Sequence, residues 1–190
     1  MKLIKLICAV LALALLASAC AKPPQAEMDN AIEAVTRAEN DANAVQFAGN
    51  TLARARDALN RMQAEADSKR YDAARTLANE AIAAAEKAIS DGRDGATRAR
   101  DEAAALLSSL RSEIEQTGQG IQSAQSAGLK LDFNSLNSDF DTARQSADQA
   151  EVAHSGNRHQ DALERGRNAR SILSGINQKL TNAVITVTSK

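Results

Sequence analysis

The thiol of Cys20 is the side chain in this sequence whose surroundings most clearly predict chemistry. A short positive start, Lys2 and Lys5, is followed by an apolar run over residues 6–16 and by small residues at 17–19. Polar residues and two prolines come directly after the cysteine. This order is typical of a bacterial secretory signal that ends at a lipid-attachment cysteine. The sequence therefore predicts a cleaved signal peptide over residues 1–19 and lipid attachment at Cys20, with residues 20–25 as a linker.

Two other interpretations of this segment stay open. An uncleaved membrane anchor needs about 20 apolar residues, and the uncharged stretch over residues 6–21 falls short of that length. Pro23 and Pro24 also end any helix just beyond it. A soluble secreted protein is harder to exclude, because residues 17–19 suit the general signal peptidase as well. Lipidation is favoured because Cys20 directly follows the cleaved bond and is the only cysteine of the mature chain.

Residues 17–20 resemble the lipobox of bacterial lipoproteins, in which Leu, a small residue and Gly or Ala precede the cysteine. The chain has Ala17 where Leu is commonest. The resemblance implies a thioether-linked diacylglycerol on Cys20 and an acylated amino group, and two or three acyl chains make a permanent anchor. Ala21, the second mature residue, implies sorting to the outer rather than the inner membrane. We therefore expect a lipid-anchored envelope protein that faces the periplasm.

Other side chains with catalytic potential do not form a recognisable pattern. His154 and His159 lie five residues apart across a turn, whereas a metal-binding pair on one helical face is four residues apart. We predict structural roles for both histidines, and no metal site. The acidic residues are scattered on outward faces, which is typical of a solvated surface. The sequence predicts no enzymatic activity, no cofactor and no small-molecule substrate.

Composition favours thin, tightly packed helices. Aromatic residues make up only 2% of the chain although hydrophobic residues make up 44%, and alanine supplies nearly half of the latter. Alanine has the highest helix propensity and lets helix axes approach closely. Without residues 1–19 the chain carries 21 basic and 24 acidic residues, a formal charge of −3 with no basic patch, so nucleic acid is not an expected partner. We predict an all-α, elongated antiparallel bundle of about five helices.

Apolar residues three and four apart divide the mature chain into helices. The stripe that begins at Met28 includes Ala38, Ala42 and Val45 and is interrupted near Ala48. Later stripes predict a first helical unit over residues 26–115, a loop over 116–134, a second helical hairpin over 135–183 and a frayed tail over 184–190. The loop is assigned from its glycine, serine and glutamine content, and the tail from its β-branched residues.

Gly92 and Gly95 allow two interpretations of the third stripe. The sequence around them has the composition of a turn. The three-four spacing nevertheless continues across both glycines, and a loop has no reason to preserve it. We favour one continuous helix, in which the glycines mark either a close approach of another element or a weak point.

Two predicted hairpins are similar when the chain is shifted by 88 residues. The shift places Ala55 on Ala143, Arg70 on Arg158, Tyr71 on His159, Ala74 on Ala162 and Ala81 on Ala169. The turn between the helices falls at the same place in both. This indicates two duplicated hairpins joined through one long helix, although shared constraints on hairpins can produce part of the similarity.

The region from about residue 25 to 90 resembles an uncharacterised family of alanine-rich envelope lipoproteins, named only as a domain of unknown function. The likeness rests on Phe47, Leu52 and Leu59 with the Ala-Arg pair at 55–56, and on the segment 71–78 that begins with Tyr71. Relatives often carry an OmpA-like peptidoglycan-binding domain downstream. The resemblance implies residence in the cell envelope and brings no known activity.

These features predict a lipid-anchored structural or scaffolding protein whose partner is another envelope protein or peptidoglycan. The alternative is a periplasmic chaperone or adaptor that binds a protein in a groove between helices. Its partner surface is expected at Phe133, Leu136 and Phe140. A lesser alternative is a covalent peptidoglycan tether through Lys190, because the abundant outer-membrane lipoprotein of enteric bacteria also runs from a lipidated cysteine to a terminal lysine.

Overall fold

The computed structural model describes residues 22–188, and within this range the chain forms helices and no strands. The predicted signal peptide, Cys20 and Lys190 lie outside the described residues. The all-α class is confirmed. The six helices of this range are α1 (Gln25–Asn40), α2 (Ala42–Phe47), α3 (Gly49–Asp67), α4 (Tyr71–Ser126), α5 (Phe133–Ser155) and α6 (His159–Thr188).

The break between α1 and α2 was not expected from the sequence. Asp41 leaves the helical conformation, with φ −82° and ψ 111°, and its carboxylate accepts a hydrogen bond of 2.8 Å from the backbone N–H of Ala44. This is an N-cap, which starts a new helix in a shifted phase. As a result Ala44 is buried, while Ala42 and Val45 of the predicted stripe are exposed.

Helix α4 is continuous through Gly92 and Gly95, as favoured from the spacing, and its 56 residues extend for about 84 Å. The glycines mark a close approach. A Cβ atom on Gly92 would lie 2.5 Å from the backbone nitrogen of Ala44, and one on Gly95 would lie 2.5 Å from Cβ of Phe47. Helix α2 therefore packs on α4 where α4 has no side chains.

The predicted loop over residues 116–134 is wrong for most of its length. Helix α4 continues to Ser126 and α5 begins at Phe133. Thr117, Ile121 and Ala124 are buried at helical spacing. The burial of this stripe stabilises a helix here in spite of the polar composition around it.

The predicted frayed tail is wrong for residues 184–188, which continue α6. Two threonines of α6 bond to the preceding turn of the helix. The hydroxyl of Thr186 donates a 2.8 Å hydrogen bond to the carbonyl of Asn182, and the hydroxyl of Thr181 donates one of the same length to the carbonyl of Asn177. Such bonds to the preceding turn let β-branched threonine remain in a helix.

The chain divides into two compact units within α4, at Gly95 and Ala96, and not at the expected loop. In the first unit, α1, α2, α3 and the start of α4 share a core that is mostly alanine. Its larger buried side chains are Val35, Leu52, Met62 and Leu77. In the second unit, the rest of α4 packs with α5 and α6 around more leucine and isoleucine. Its largest fully buried side chains are Leu110, Leu136, Leu173 and Ile176.

The turns of the two predicted hairpins have the same backbone structure. Lys69 and Asn157 both have positive φ, 59° and 58°. The N–H of Arg70 donates to Glu65 and that of Arg158 donates to Ala153, each at 2.9 Å. These are the bonds of a helix that ends with a left-handed residue. Every pair is 88 residues apart, so the expectation that the two turns correspond is confirmed.

Candidate functional site

An open groove lies between α4 and α6 in the second unit and has a volume of about 660 Å³. Gly120 and Ala124 line it from α4, Leu129 from the following loop, and Leu180 and Val184 from α6. Apart from Gln116, the α4 residues that line the groove are small. A Cβ atom on Gly120 would lie only 3.2 Å from Cδ1 of Leu180, so the glycine sets how closely the two helices approach.

A polar pair fixes the helices beside this groove. Asn177, which lines the groove, donates a 3.0 Å hydrogen bond from its side-chain amide to the hydroxyl of Thr117. Thr117 is fully buried and is the single buried polar residue within residues 22–188. A buried hydroxyl that finds its hydrogen-bond partner in one alignment of two helices stabilises that alignment over its neighbours. The shape of the groove is therefore tied to the position of α6 along α4.

The predicted partner surface on α5 faces the core instead of solvent. Leu136 is 2% exposed, and Phe133 and Phe140 are half-buried against a cluster that includes Ile121 and Leu180. The helical spacing of these residues was predicted correctly, but the stripe faces inward because α5 has no other apolar face of this size to bury. An exposed strip at Leu136 is therefore excluded, while the cluster supports the groove through the shared residue Leu180.

The two histidines meet across the turn between α5 and α6. Their Nδ1 atoms are 3.2 Å apart, and their ring centres are 4.9 Å apart with planes inclined by 55°. Helical-face spacing did not predict this contact, because it describes residues within one helix and these two lie on successive helices. Burial, the neighbouring His154 and the guanidinium of Arg100 together lower the pKa of His159 below its usual 6.5.

The outward faces of both units carry ion pairs between helices. In the first unit Arg75 of α4 contacts Glu27 of α1 at 3.0 Å. A backbone hydrogen bond and this guanidinium lower the pKa of Glu27. In the second unit Lys179 of α6 contacts Asp139 of α5 at 2.9 Å. The four side chains are 39–52% exposed, so each pair contributes little stability and the faces remain hydrated.

Within residues 22–188, no cluster of three or more histidine, cysteine or acidic side chains is arranged to hold a metal ion. No helix of this range has the length and apolarity of a membrane span. The predicted lipidation site, Cys20, lies outside the described residues.

Comparison with known proteins identifies one domain. Residues 26–105 match the family described as "Domain of unknown function (DUF4398)", which covers α1 to α3 and the first part of α4. No curated protein and no solved structure matches the chain. The predicted resemblance to a domain of unknown function is thus confirmed for this region. Lipidation, envelope residence and fusion to OmpA-like domains stay predictions.

Proposed function

We propose that this chain is a lipid-anchored protein of the bacterial cell envelope, with a structural or scaffolding role and no catalytic activity. The observation that carries the proposal is the order of residues 1–20, in which a basic start, an apolar run and small residues end at the only cysteine of the mature chain. The lipid on Cys20 holds the protein at the membrane, and the outer membrane is the expected location.

The helical body is consistent with this role. Helix α1 begins at Gln25, five residues after Cys20, so little free chain separates the anchor from the folded part. Alanine-rich cores let the helices pack closely, and paired charges such as Arg75 with Glu27 cover the outside. A scaffold needs stable helices with hydrated faces, and it needs no reactive cluster.

The test of this proposal is the substitution Cys20→Ala, with Cys8→Ala as the matched control. Cys8 lies within the apolar run and leaves with the signal peptide, so its loss should change nothing. We expect lipid on the mature chain of the parent and of the control, detected by mass spectrometry, and release of the Cys20→Ala protein into the soluble periplasmic fraction. A Cys20→Ala protein that stays membrane-bound would contradict the proposal and favour an uncleaved anchor. A parent without lipid would favour a soluble secreted protein.

A second candidate function is that of a periplasmic chaperone or adaptor, and the groove between α4 and α6 favours it. Its 660 Å³ and its apolar walls at Ala124, Leu129 and Leu180 suit a side chain or short segment of a protein partner. A photo-crosslinking residue at Ala127, which lines the groove, should capture one dominant envelope protein in intact cells. The same residue at Ser108, an exposed position of α4 away from the groove, is the control. Equal capture at both positions would contradict a groove-specific partner.

The covalent tether through Lys190 is the lesser alternative, and it concerns a residue outside the described range. It predicts a Lys190-linked fragment in digests of peptidoglycan. Muropeptide analysis that finds no such fragment would exclude it.

A further inference from the structure

The contact between His154 and His159 lies outside the groove and has no part in the proposed scaffold. The two imidazoles are not stacked, since their planes are inclined by 55°, and they approach through their Nδ1 atoms at 3.2 Å. Without another ligand, one Nδ1 must carry a proton and donate it to the other. The same pair of nitrogens can instead bind a single ion.

The distance between the nitrogens suits a shared metal ion. Two imidazole nitrogens that bind one ion at about 2.0–2.1 Å, with an angle of about 90–109° at the metal, lie roughly 2.9–3.4 Å apart. The observed 3.2 Å falls inside this range. The separation of the two nitrogens therefore allows one metal ion to replace the bridging proton, with both rings turned toward it.

The turn fixes the backbone of both histidines before any ion arrives. His154 is in the last turn of α5, and His159 is the first residue of α6. Between them, the N–H of Asn157 donates to the carbonyl of His154 at 3.0 Å and the N–H of Arg158 donates to Ala153 at 2.9 Å. A ligand pair fixed by the backbone loses less conformational freedom on binding than a flexible pair does.

We propose that His154 and His159 form a binding site for one divalent transition metal ion of the copper, nickel and zinc class. Both Nδ1 atoms are ligands, and water completes the coordination. Imidazole nitrogen is a preferred ligand of these ions, and Cu²⁺ binds most tightly within the series.

The charges around the pair are partly compensated. Arg100 acts on His159 as a positive charge, but its guanidinium is itself exposed and paired with Asp101 at 3.0 Å. Arg158, next to His159, contacts Asp161 at 3.0 Å, and Arg165 contacts the same carboxylate at 2.6 Å. The cation therefore approaches exposed arginines that salt and water screen, and its binding depends on the two imidazole nitrogens.

The first unit supplies a natural control. Its turn has the same hydrogen bonds and the same left-handed residue, but Ala66 and Tyr71 stand where the second turn has His154 and His159. The proposed site therefore belongs to the second turn alone. The first turn can be used to test whether two histidine side chains on this backbone are sufficient to bind a metal ion.

The experiment is a Cu²⁺ titration of the full mature chain, followed by calorimetry and electron paramagnetic resonance. The parent should bind one Cu²⁺ with a spectrum that shows two imidazole nitrogens. The variants His154→Ala and His159→Tyr should each weaken binding by about tenfold or more, because each leaves a single imidazole ligand. The double variant recreates the residues of the first turn and should lose the site.

A gain-of-site variant tests the same idea without removing anything. Ala66→His combined with Tyr71→His places two imidazoles on the first turn, so the chain should bind a second Cu²⁺ with the same spectrum. Far-UV circular dichroism of every variant reports whether the helices are retained. The proposal is overturned if the parent and the double variant that lacks both histidines, His154→Ala with His159→Tyr, bind Cu²⁺ alike. It is also overturned if the parent spectrum contains only one imidazole nitrogen.

Discussion

The turn between α3 and α4 and the turn between α5 and α6 share one backbone but differ in what their side chains can do. Both end a helix with a left-handed residue, Lys69 or Asn157, and both use the same pattern of hydrogen bonds. The first turn then presents Ala66 and Tyr71, and the second brings two imidazoles into contact. The two turns thus share their backbone geometry. They differ in the residue types at two equivalent positions, and only the second turn has side chains that can bind a metal ion.

The helices beside the turns differ in a second way, which concerns the size of the core residues. Ala85 and Ala88 are fully buried in the first unit, and their equivalents in the second unit are the buried Leu173 and Ile176. The same inward positions therefore hold side chains of different size, from which we infer a different helix spacing in the two units. The buried side chains of each unit fill the space between its own helices. Side chains should therefore not be exchangeable between equivalent positions of the two units.

Exchange of core residues should have the largest effect on stability. Leu173→Ala gives the second unit the residue that the first has at position 85, and we expect it to lower the free energy of unfolding by about 2–5 kcal/mol because it leaves a cavity. The reverse change, Ala85→Leu, should lower it by about 1–3 kcal/mol through overpacking. Urea unfolding followed by circular dichroism measures both. Two neutral substitutions would contradict the idea that the cores are matched to different spacings.

A glycine that contacts backbone should be less replaceable than one that contacts a flexible side chain. Gly92→Ala places Cβ 2.5 Å from the backbone of Ala44, and we expect a loss of about 2 kcal/mol in spite of the better helix propensity of alanine. Gly166→Ala meets side chains and no backbone, Leu106 at 2.7 Å and Leu110 at 3.3 Å, so a smaller loss is expected.

Gly175 is the control for these two substitutions, because a Cβ atom there has no neighbour within 4 Å. Gly175→Ala should raise the free energy of unfolding by about 0.8–1 kcal/mol, the propensity difference between the two residues. The same urea titrations apply. A stabilising Gly92→Ala would show that α2 does not pack closely on α4.

These contacts also show which parts of the structure could be predicted from the sequence. The continuity of α4 was predicted correctly from the spacing around Gly92, because apolar residues three and four apart on both sides of the glycine belong to one helical face. The end of α4 did not follow from composition, since the burial of Ile121 against Leu136 and Ile176 is a tertiary effect. The break at Asp41 was missed because one capping carboxylate suffices to shift the phase.

The candidate sites were harder to predict than the helices. Phe133, Leu136 and Phe140 were correctly placed on one stripe, but a stripe alone does not tell whether it faces solvent or a core. The histidine contact was missed because sequence distance across a turn does not give spatial distance. The repeat supplies the signal that could have found it, since any left-handed turn of this type brings the flanking positions 66 and 71, or 154 and 159, toward one another.

Substitution of the left-handed residue by glycine should change the free energy of unfolding by different amounts in the two turns. A lysine in this conformation costs more than an asparagine, whose short side chain tolerates it. Lys69→Gly should therefore raise the free energy of unfolding by about 0.5–1 kcal/mol, whereas Asn157→Gly should change it by only a few tenths. Thermal and urea unfolding of the two variants check this order. The opposite order would mean that the turns carry different backbone strain in spite of their common hydrogen bonds.

The smallest expected effect is a dependence of stability on pH that arises at His159 in the second turn. The pKa of His159 is lowered in the folded chain, so the unfolded chain binds a proton more readily as the pH falls through about 6.5. Stability rises with pH wherever the unfolded state holds more protons, and it must therefore decrease as the solution becomes more acidic below that value. The urea midpoint of the parent should fall modestly between pH 7 and pH 5, measured without metal ions.

His159→Tyr, which installs the residue of the first turn, separates this effect from the titration of other groups. The variant should lose the part of the pH dependence that arises at position 159, while His154→Ala should reduce it because one of the charges acting on His159 is removed. Tyr71→Phe in the first turn is the matched control and should leave the dependence unchanged, since it leaves His159 and its surroundings intact. An equal fall of the urea midpoint in the parent and in His159→Tyr would place the pH sensitivity elsewhere, and the two turns would then differ in residue type without differing in their response to acid.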